Sequence, residues 1–284
     1  MKKTRSNIVK RVAREMQLQN YSQKSIASYT ASLCKLELFT NKPLEEVSVN
    51  DFKGFLYHRL KVEEISVSTL NQSISAYKIL RQSVLGIQWE PFRIKRPRRE
   101  KKLPEVLSQK EVERIISNVK NIKHKALLSL AYSSGMRRGE IRNLMITEID
   151  SDQMRIKVKQ GKGKKDRYTI LSQKTLELLR IYYKQYRPEQ YLFEPCGIKG
   201  RQYGEGTLNK IVKNAAEKAG IKKNISFHTL RHSFATHLLE NGINVMIIKK
   251  LLGHSSIKTT GIYLHVANIE QAKIVSPFDN MNIL

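Results

Sequence analysis

The stretch that most limits how this chain can fold lies a third of the way along it. From Pro91 to Pro104 the sequence runs Pro-Phe-Arg-Ile-Lys-Arg-Pro-Arg-Arg-Glu-Lys-Lys-Leu-Pro. The prolines fix φ and remove backbone donors, so they resist helix and sheet, and nearly every charge is positive. The stretch reads as an extended linker, 91–104, between a first domain, 1–90, and a second, 105–284. With 284 residues, 40% of them apolar, the chain has enough material for a core in each.

Charge then narrows the class of partner. The chain carries 52 Lys+Arg against 25 Asp+Glu, a formal net charge of +27, which points to a polyanion. The basic residues run along the whole chain instead of clustering beside an amphipathic or lipidated anchor, which favours nucleic acid over a membrane surface. A basic linker between two basic domains is expected to cross phosphates, through Arg93, Lys95, Arg96, Arg98 and Arg99. The plain alternative is a solvated strap. Lys10, Arg11, Arg14 and Glu15 interrupt any early apolar run, and no later run is long enough to span a bilayer. Cys34 and Cys196 make no disulfide framework, and two free thiols fit a reducing cytoplasm.

The first domain reads as all-helical. Ile8, Val9, Val12, Ala13 and Met16 recur at helical spacing. Ser22 is placed to cap a second helix with Ile26, Tyr29, Leu33 and Leu36 inward. Asn50 is expected to cap a third, with Phe52, Phe55, Leu56 and Leu60 inward. Ser68 is expected to open a fourth, with Leu70, Ile74, Tyr77 and Val84 as its stripe, and Gly86 to stop it. Tyr21, Tyr29 and Tyr77 read as packing residues.

The second domain opens on a capping box, Ser108 and Glu111, before Val112, Ile115 and Ile116. A helix through Ala126, Leu127, Leu130 and Ala131 ends at Gly135. Arg137 then sits in a glycine-flanked turn at a helix start, where side chain and backbone N–H groups both reach an anion. Met154, Ile156 and Val158 alternate with Arg155, Lys157 and Lys159, the pattern of a strand with one wet face. A turn at Gly161–Asp166 leads to a return strand through Tyr168, Ile170 and Leu171. The turn's Lys164 and Lys165 make this basic hairpin a candidate DNA contact. Its glycines lack the G-x-x-x-x-G-K-[ST] spacing of a P-loop. Lys162, by position alone, reads as a solvated turn lysine. Ser172 is expected to cap a helix with Leu176, Leu179 and Tyr183 inward, and Thr207 another that Gly220 ends.

The chemistry concentrates between Ser226 and Val266. Phe227-His228-Thr229-Leu230-Arg231-His232 starts a helix on which His228 and Arg231 share a face. Gly253 stops a later helix and leaves His254 free to point into a cleft. A short helix from about Ser256 leads to Tyr263. Arginine forks grip phosphate oxygens, histidines donate hydrogen bonds or move protons, and a tyrosine hydroxyl can attack to form a covalent intermediate. These types together suit phosphodiester chemistry, with Tyr263 attacking a DNA phosphate that the others hold. His228 and His232, four apart, also match a zinc pair. No carboxylate or thiolate ligand is near, and Arg231 would set a cation beside the metal, so no metal is expected.

These motifs resemble those of the tyrosine recombinase (phage integrase) family, and the layout is closest to its Xer-like members. H-x-x-R is matched by His228 to Arg231, L-G-H by Leu252-Gly253-His254, and T-T-x-x-Y-x-H by Thr259 to His265. G-x-R-x-[SG]-E is matched by Gly135 to Glu140, and the G-K-G hairpin by Gly161-Lys162-Gly163. The resemblance covers essentially the whole chain, with five motifs in order and no departure at a catalytic position.

The resemblance implies a mainly α protein with a small antiparallel β-sheet in the catalytic domain. It implies a two-domain clamp on DNA, in which a helical core-binding domain precedes the tyrosine-recombinase domain. Tyr263 would form a 3′-phosphotyrosyl link and free a 5′-hydroxyl. Arg137 and Arg231 would hold the non-bridging oxygens, and Lys162 would protonate the departing oxygen. His228 would help take the tyrosine proton, His254 would hydrogen-bond the phosphate, and Glu140 would orient its neighbours. One phosphoester replaces another, so no ATP, metal or other cofactor is implied. The implied partners are double-stranded DNA with a specific recombination site and a homo-tetramer on two sites, with room for a partner recombinase or accessory protein. The tail's Ile274, Val275 and Phe278 are candidate knobs for a neighbouring protomer. Two rival readings are a topoisomerase-type nicking-closing enzyme and a catalytically silent DNA-binding protein on the same scaffold.

Overall fold

A computed structural model describes residues 6–89, 95–97, 103–159 and 166–267. The chain divides into two compact units, Met1–Lys101 and Lys102–Leu284. The first is helical, with α1 (Asn7–Leu18), α2 (Gln23–Thr40), α3 (Val49–Lys61) and α4 (Val67–Ile79), the last running into a wider π-turn at Leu80–Val84. α1 turns Ile8, Val9, Val12 and Met16 inward, one apolar face of a 3.6-residue repeat. At the centre Phe52 stacks on Tyr77, ring centroids 4.0 Å apart, while the buried Tyr77 hydroxyl donates to the Val47 carbonyl at 3.0 Å. Each such buried side chain contributes roughly 1.5–3 kcal/mol relative to exposure.

The helix starts differ from expectation at two places in the first unit, and in the second Gly206, not Thr207, holds the N-cap position of the helix that begins at Thr207. Ser48, not Asn50, caps α3. Its Oγ accepts from the Asp51 N–H at 3.1 Å, and Asp51 accepts from the Ser48 N–H at 3.0 Å. Ser66, not Ser68, caps α4 by accepting from the Thr69 N–H. In both cases the earlier serine lets an N3 side chain reach back to it. Leu60 and Tyr21 both lie at the surface. Gly86, with φ of 70°, follows the π-turn instead of ending α4 itself.

The second unit begins with α5 (Gln109–Ser117), held by the Ser108/Glu111 capping box. Then come α6 (Ile122–Ser134), α7 (Arg138–Asn143), and the strands β1 (Ile149–Asp150), β2 (Arg155–Val158) and β3 (Arg167–Ile170). The strands form one antiparallel sheet in the order β1-β2-β3. α8 (Gln173–Tyr186), α9 (Thr207–Lys218), α10 (Phe227–Glu240), α11 (Val245–Leu252) and α12 (Ile257–Thr260) complete the unit, followed by a 3₁₀ turn at Gly261–His265. Ile156 pairs with Thr169 and Val158 with Arg167, and these four side chains point inward. Tyr168 and Ile170 therefore face solvent, and Thr169 takes the core position by donating to the Ser134 carbonyl. In α8 Tyr182, not Tyr183, is buried, packed against Phe193.

A smaller apolar cluster closes the C-terminal side, built from Phe234, Ala235, Leu239, Ile248, Leu252 and Tyr263. Gly135 ends α6 in the left-handed region, and a Cβ there would collide with the Phe234 ring. Only glycine both adopts this turn and lets α10 come that close. No helix among the described residues is long and apolar enough to cross a membrane.

Candidate active site

Four chain segments converge on one point in the second unit. Gly135 aims its carbonyl toward α10. Arg137 holds the N-cap position of α7, where Glu140 reaches back to it. The Arg137 backbone N–H donates to Glu140 Oε2 at 2.7 Å and its Nη1 to Oε1 at 2.8 Å. Arg137 Nη2 reaches the Gly253 carbonyl at 3.2 Å. The first two turns of α10 present His228, Arg231 and His232. Gly253 ends α11 in the left-handed region, which turns the chain and sets His254 beside Arg231. The 3₁₀ turn delivers Tyr263.

Arg231 is nearly inaccessible, 2% exposed, and both terminal nitrogens are bonded. Nη1 donates to the Gly135 carbonyl and Nη2 to the Leu252 carbonyl, both at 2.7 Å, and Nη2 meets His254 Nε2 at 2.9 Å. An arginine only donates, so Nε2 accepts. A neutral His254 then carries its proton on Nδ1, which donates to Thr260 Oγ1 at 2.9 Å. Burial, then the Arg137 charge, lower Arg231 to about 10, so it stays cationic at neutral pH.

Arg137, His228, Arg231, His232, Gly253, His254 and Tyr263 line a cavity of about 190 Å³. A wider groove of about 870 Å³ shares Arg137 and His228 and extends past Arg138, Asn143 and Lys159. Tyr263 is 1% exposed, in the apolar cluster, with its hydroxyl turned to the polar side. Burial raises its pKa, and Arg231 and Arg137 oppose that rise. The hydroxyl meets His232 Nδ1 at 3.1 Å. Burial, then the charges of His228 and Arg231, push His232 down to about 4. Partial burial, then the charges of Arg231, Arg137 and Arg138, also lower His228.

Of the residues singled out from sequence, Arg137, Glu140, His228, Arg231, His254 and Tyr263 are brought together here. Lys162, Lys164, Lys165, Arg93, Arg98 and Arg99 lie outside the described residues. Lys95 is exposed; Arg96, also exposed, donates to the Asn71 carbonyl at 3.1 Å and to Ser75 Oγ at 3.0 Å on α4. Two residues of the cluster escaped sequence reasoning. His232 read only as half of a metal pair. Arg167 looked like one basic residue among many, although its register opposite the buried Val158 marks it as inward-facing. Its Nη1 and Nη2 grip Glu140 at 2.8 and 2.7 Å, and its Nε donates to the Leu251 carbonyl at 2.9 Å.

The arrangement sets two arginine forks and neutral imidazoles around one phenol hydroxyl, a site able to hold a phosphodiester against a nucleophile. Comparison with known proteins agrees with that class. Residues 105–270 match the Phage integrase family, and residues 8–91 match the phage integrase N-terminal SAM-like domain. Tyrosine recombinase XerA of Pyrococcus horikoshii is 33% identical over 278 residues, covering 95% of both chains. Among solved structures, XerH site-specific recombinase bound to its difH substrate superposes with a TM-score of 0.68 at 24% identity, covering 88% of this chain and 78% of that one. A lambda integrase tetramer bound to a Holliday junction gives 0.72 at 17% identity, covering 90% and 76%. The chain belongs to the phage integrase family, as a tyrosine recombinase that cleaves and rejoins DNA.

Proposed function

We propose that Tyr263 is the nucleophile of a site-specific recombination reaction on double-stranded DNA. The observation that carries this reading is the shared cavity, in which the Tyr263 hydroxyl faces Arg137 and Arg231. Tyr263 Oη attacks the scissile phosphorus, and the bond to the 5′ oxygen breaks. Arg137 and Arg231 bind the non-bridging oxygens, where charge builds in the transition state. Lys162 supplies the proton that the departing 5′ oxygen needs. His228 contributes a further hydrogen bond to the phosphate, and His254, oriented by Thr260, positions the Arg231 fork that holds it. Glu140 orients Arg137. A 5′-hydroxyl from a partner duplex reverses the step, so the energy of the phosphoester is conserved through the covalent link.

The difH duplex in the XerH structure and the lambda integrase tetramer support two further parts of the proposal. The substrate is a duplex with a defined site, and four protomers act on two such sites. The excess of basic residues supports electrostatic attraction to phosphates over the whole chain. Recombinase relatives spanning 95% of the chain favour strand exchange over nicking and closing of a single duplex.

The test is a nicked suicide duplex carrying the site that the wild-type protein selects from random DNA. The expected result is a denaturation-resistant adduct whose mass maps to Tyr263 and which is absent with Tyr263→Phe, while binding is retained. An adduct that survives Tyr263→Phe overturns the assignment of the nucleophile.

A further inference from the structure

We propose that His232, on α10, is the proton acceptor for Tyr263 in the cleavage step. This rests on the reading that Tyr263 is the nucleophile. The first observation is contact. His232 Nδ1 lies 3.1 Å from the Tyr263 hydroxyl, within the range for direct proton transfer. The other group at that hydroxyl is the Arg231 guanidinium, which donates and cannot accept. The His254 ring runs parallel to Tyr263 with centroids 6.4 Å apart, and its Nε2 and Nδ1 are engaged by Arg231 and Thr260. His228, the residue expected to take this proton, presents its ring to His232 at 6.0 Å instead of to the phenol.

The second observation is how the ring is held. His232 sits one turn along α10 from His228 and directly after Arg231, so the helix that fixes the phosphate-binding fork also fixes the imidazole. Burial keeps the ring neutral at physiological pH. A neutral ring that accepts at Nδ1 carries its proton on Nε2. A phosphodiester held by Arg137 and Arg231 brings negative charge to the same cavity, which offsets those cations and raises the proton affinity of the imidazole as substrate arrives.

The step balances within the site. The Tyr263 Oη–P bond forms as the P–O5′ bond breaks. The phenol proton passes to His232 Nδ1, giving an imidazolium. The 5′ oxygen leaves with a proton from a separate donor, Lys162 in the proposal above. In the reverse step the imidazolium returns its proton to the departing tyrosine.

The variants that test this are His232→Asn and His232→Ala, read by single-turnover adduct formation on the nicked suicide duplex. Asparagine places an oxygen near the position of Nδ1, so it keeps the hydrogen bond but cannot take the proton. Both variants are expected to bind the duplex as wild type does and to lose about 100-fold in adduct rate, the range of general base catalysis. Fluorinated tyrosine at position 263, with its more acidic phenol, is expected to shrink that loss about tenfold, because an easier proton needs less help. A structural role alone leaves the loss unchanged by fluorination. His232→Asn at near-wild-type rate, or a loss indifferent to fluorination, overturns the proposal. Mapping the wild-type adduct to a residue other than Tyr263 overturns the reading beneath it instead.

Discussion

Arg167 grips Glu140 with both terminal nitrogens, at 2.8 and 2.7 Å, and Glu140 in turn holds Arg137 by side chain and backbone. Arg167 also ties the end of α11 through the Leu251 carbonyl. One fork from β3 thus connects the residue that orients Arg137 with the helix end whose carbonyls at Leu252 and Gly253 orient Arg231 and Arg137. Arg167 is 10% and Glu140 8% exposed at the side chain, so little water screens the pair. Arg167→Met leaves a buried carboxylate without its strongest partner. Such losses cost about 3–5 kcal/mol. Arg167→Met is expected to melt lower and to form adduct at least tenfold more slowly, with Arg167→Lys intermediate because lysine lacks the fork. Arg167→Met with wild-type melting and adduct rate would show that Glu140 needs no such support.

The same carboxylate makes the fold acid-sensitive in a defined window. Burial alone would raise the Glu140 pKa; hydrogen bonds and charge from Arg167, then the bonds from Arg137, outweigh it and hold the group at about 2 against an ordinary 4.5. A carboxyl that titrates lower in the folded chain stabilises the fold above pH 4.5, and that contribution disappears as pH falls from about 4.5 through about 2. The gap corresponds to about 3 kcal/mol at neutral pH. Glu140→Gln is therefore expected to be less stable than wild type at pH 7 and to close most of the difference near pH 2. Parallel urea titrations across that range check it, and a constant difference would assign the effect to packing instead of charge.

Gly253 answers to the same arginine. It has a φ of 63°, and a Cβ there would stand 2.7 Å from Arg167 Cδ and 3.0 Å from its Nε. Gly253→Ala combines left-handed strain of about 1–3 kcal/mol with displacement of Arg167. The expected outcome is a modest fall in melting temperature and a disproportionate fall in adduct rate, since the Gly253 carbonyl also holds Arg137. Equal losses in Gly253→Ala and in a left-handed glycine remote from the site, Gly220→Ala, would reduce the effect to backbone strain alone.

Much of this was legible from residue types and spacing, because helix stripes, left-handed glycines and capping boxes are local signals. Ser108 with Glu111, Gly135 and Gly253 behave as their neighbours in sequence dictate. The misplaced starts of α3 and α4 come from rival caps two residues apart, Ser48 against Asn50 and Ser66 against Ser68, which propensity does not separate. What sequence could not supply is partnership across the chain. Arg167 meets Glu140 over 27 positions and His232 meets Tyr263 over 31, and each pairing exists only once β3, α7 and α10 are packed. The basic excess hides such residues as well, since an inward arginine looks like any other in a chain with 52 Lys+Arg.

Thr260 offers the most selective probe of His254. It is fully buried, and its hydroxyl accepts the Nδ1 proton at 2.9 Å. That bond fixes the tautomer which leaves Nε2 to accept from Arg231. Thr260→Val keeps the shape and removes this acceptor, at a cost of about 1–3 kcal/mol. The imidazole can recover by moving its proton to Nε2, but it then presents an N–H to the Arg231 guanidinium and loses that bond. Either way the contact between His254 and Arg231 weakens, while Tyr263 and the two arginines keep their other bonds. Thr260→Val is expected to bind the duplex normally and to form adduct about five- to tenfold more slowly, with Thr260→Ser close to wild type because the hydroxyl remains. Nitrogen-15 shifts of the His254 ring report the tautomer directly. An unchanged Nδ1–H signal in Thr260→Val would mean that another group holds the ring, and that Thr260 serves only to fill space.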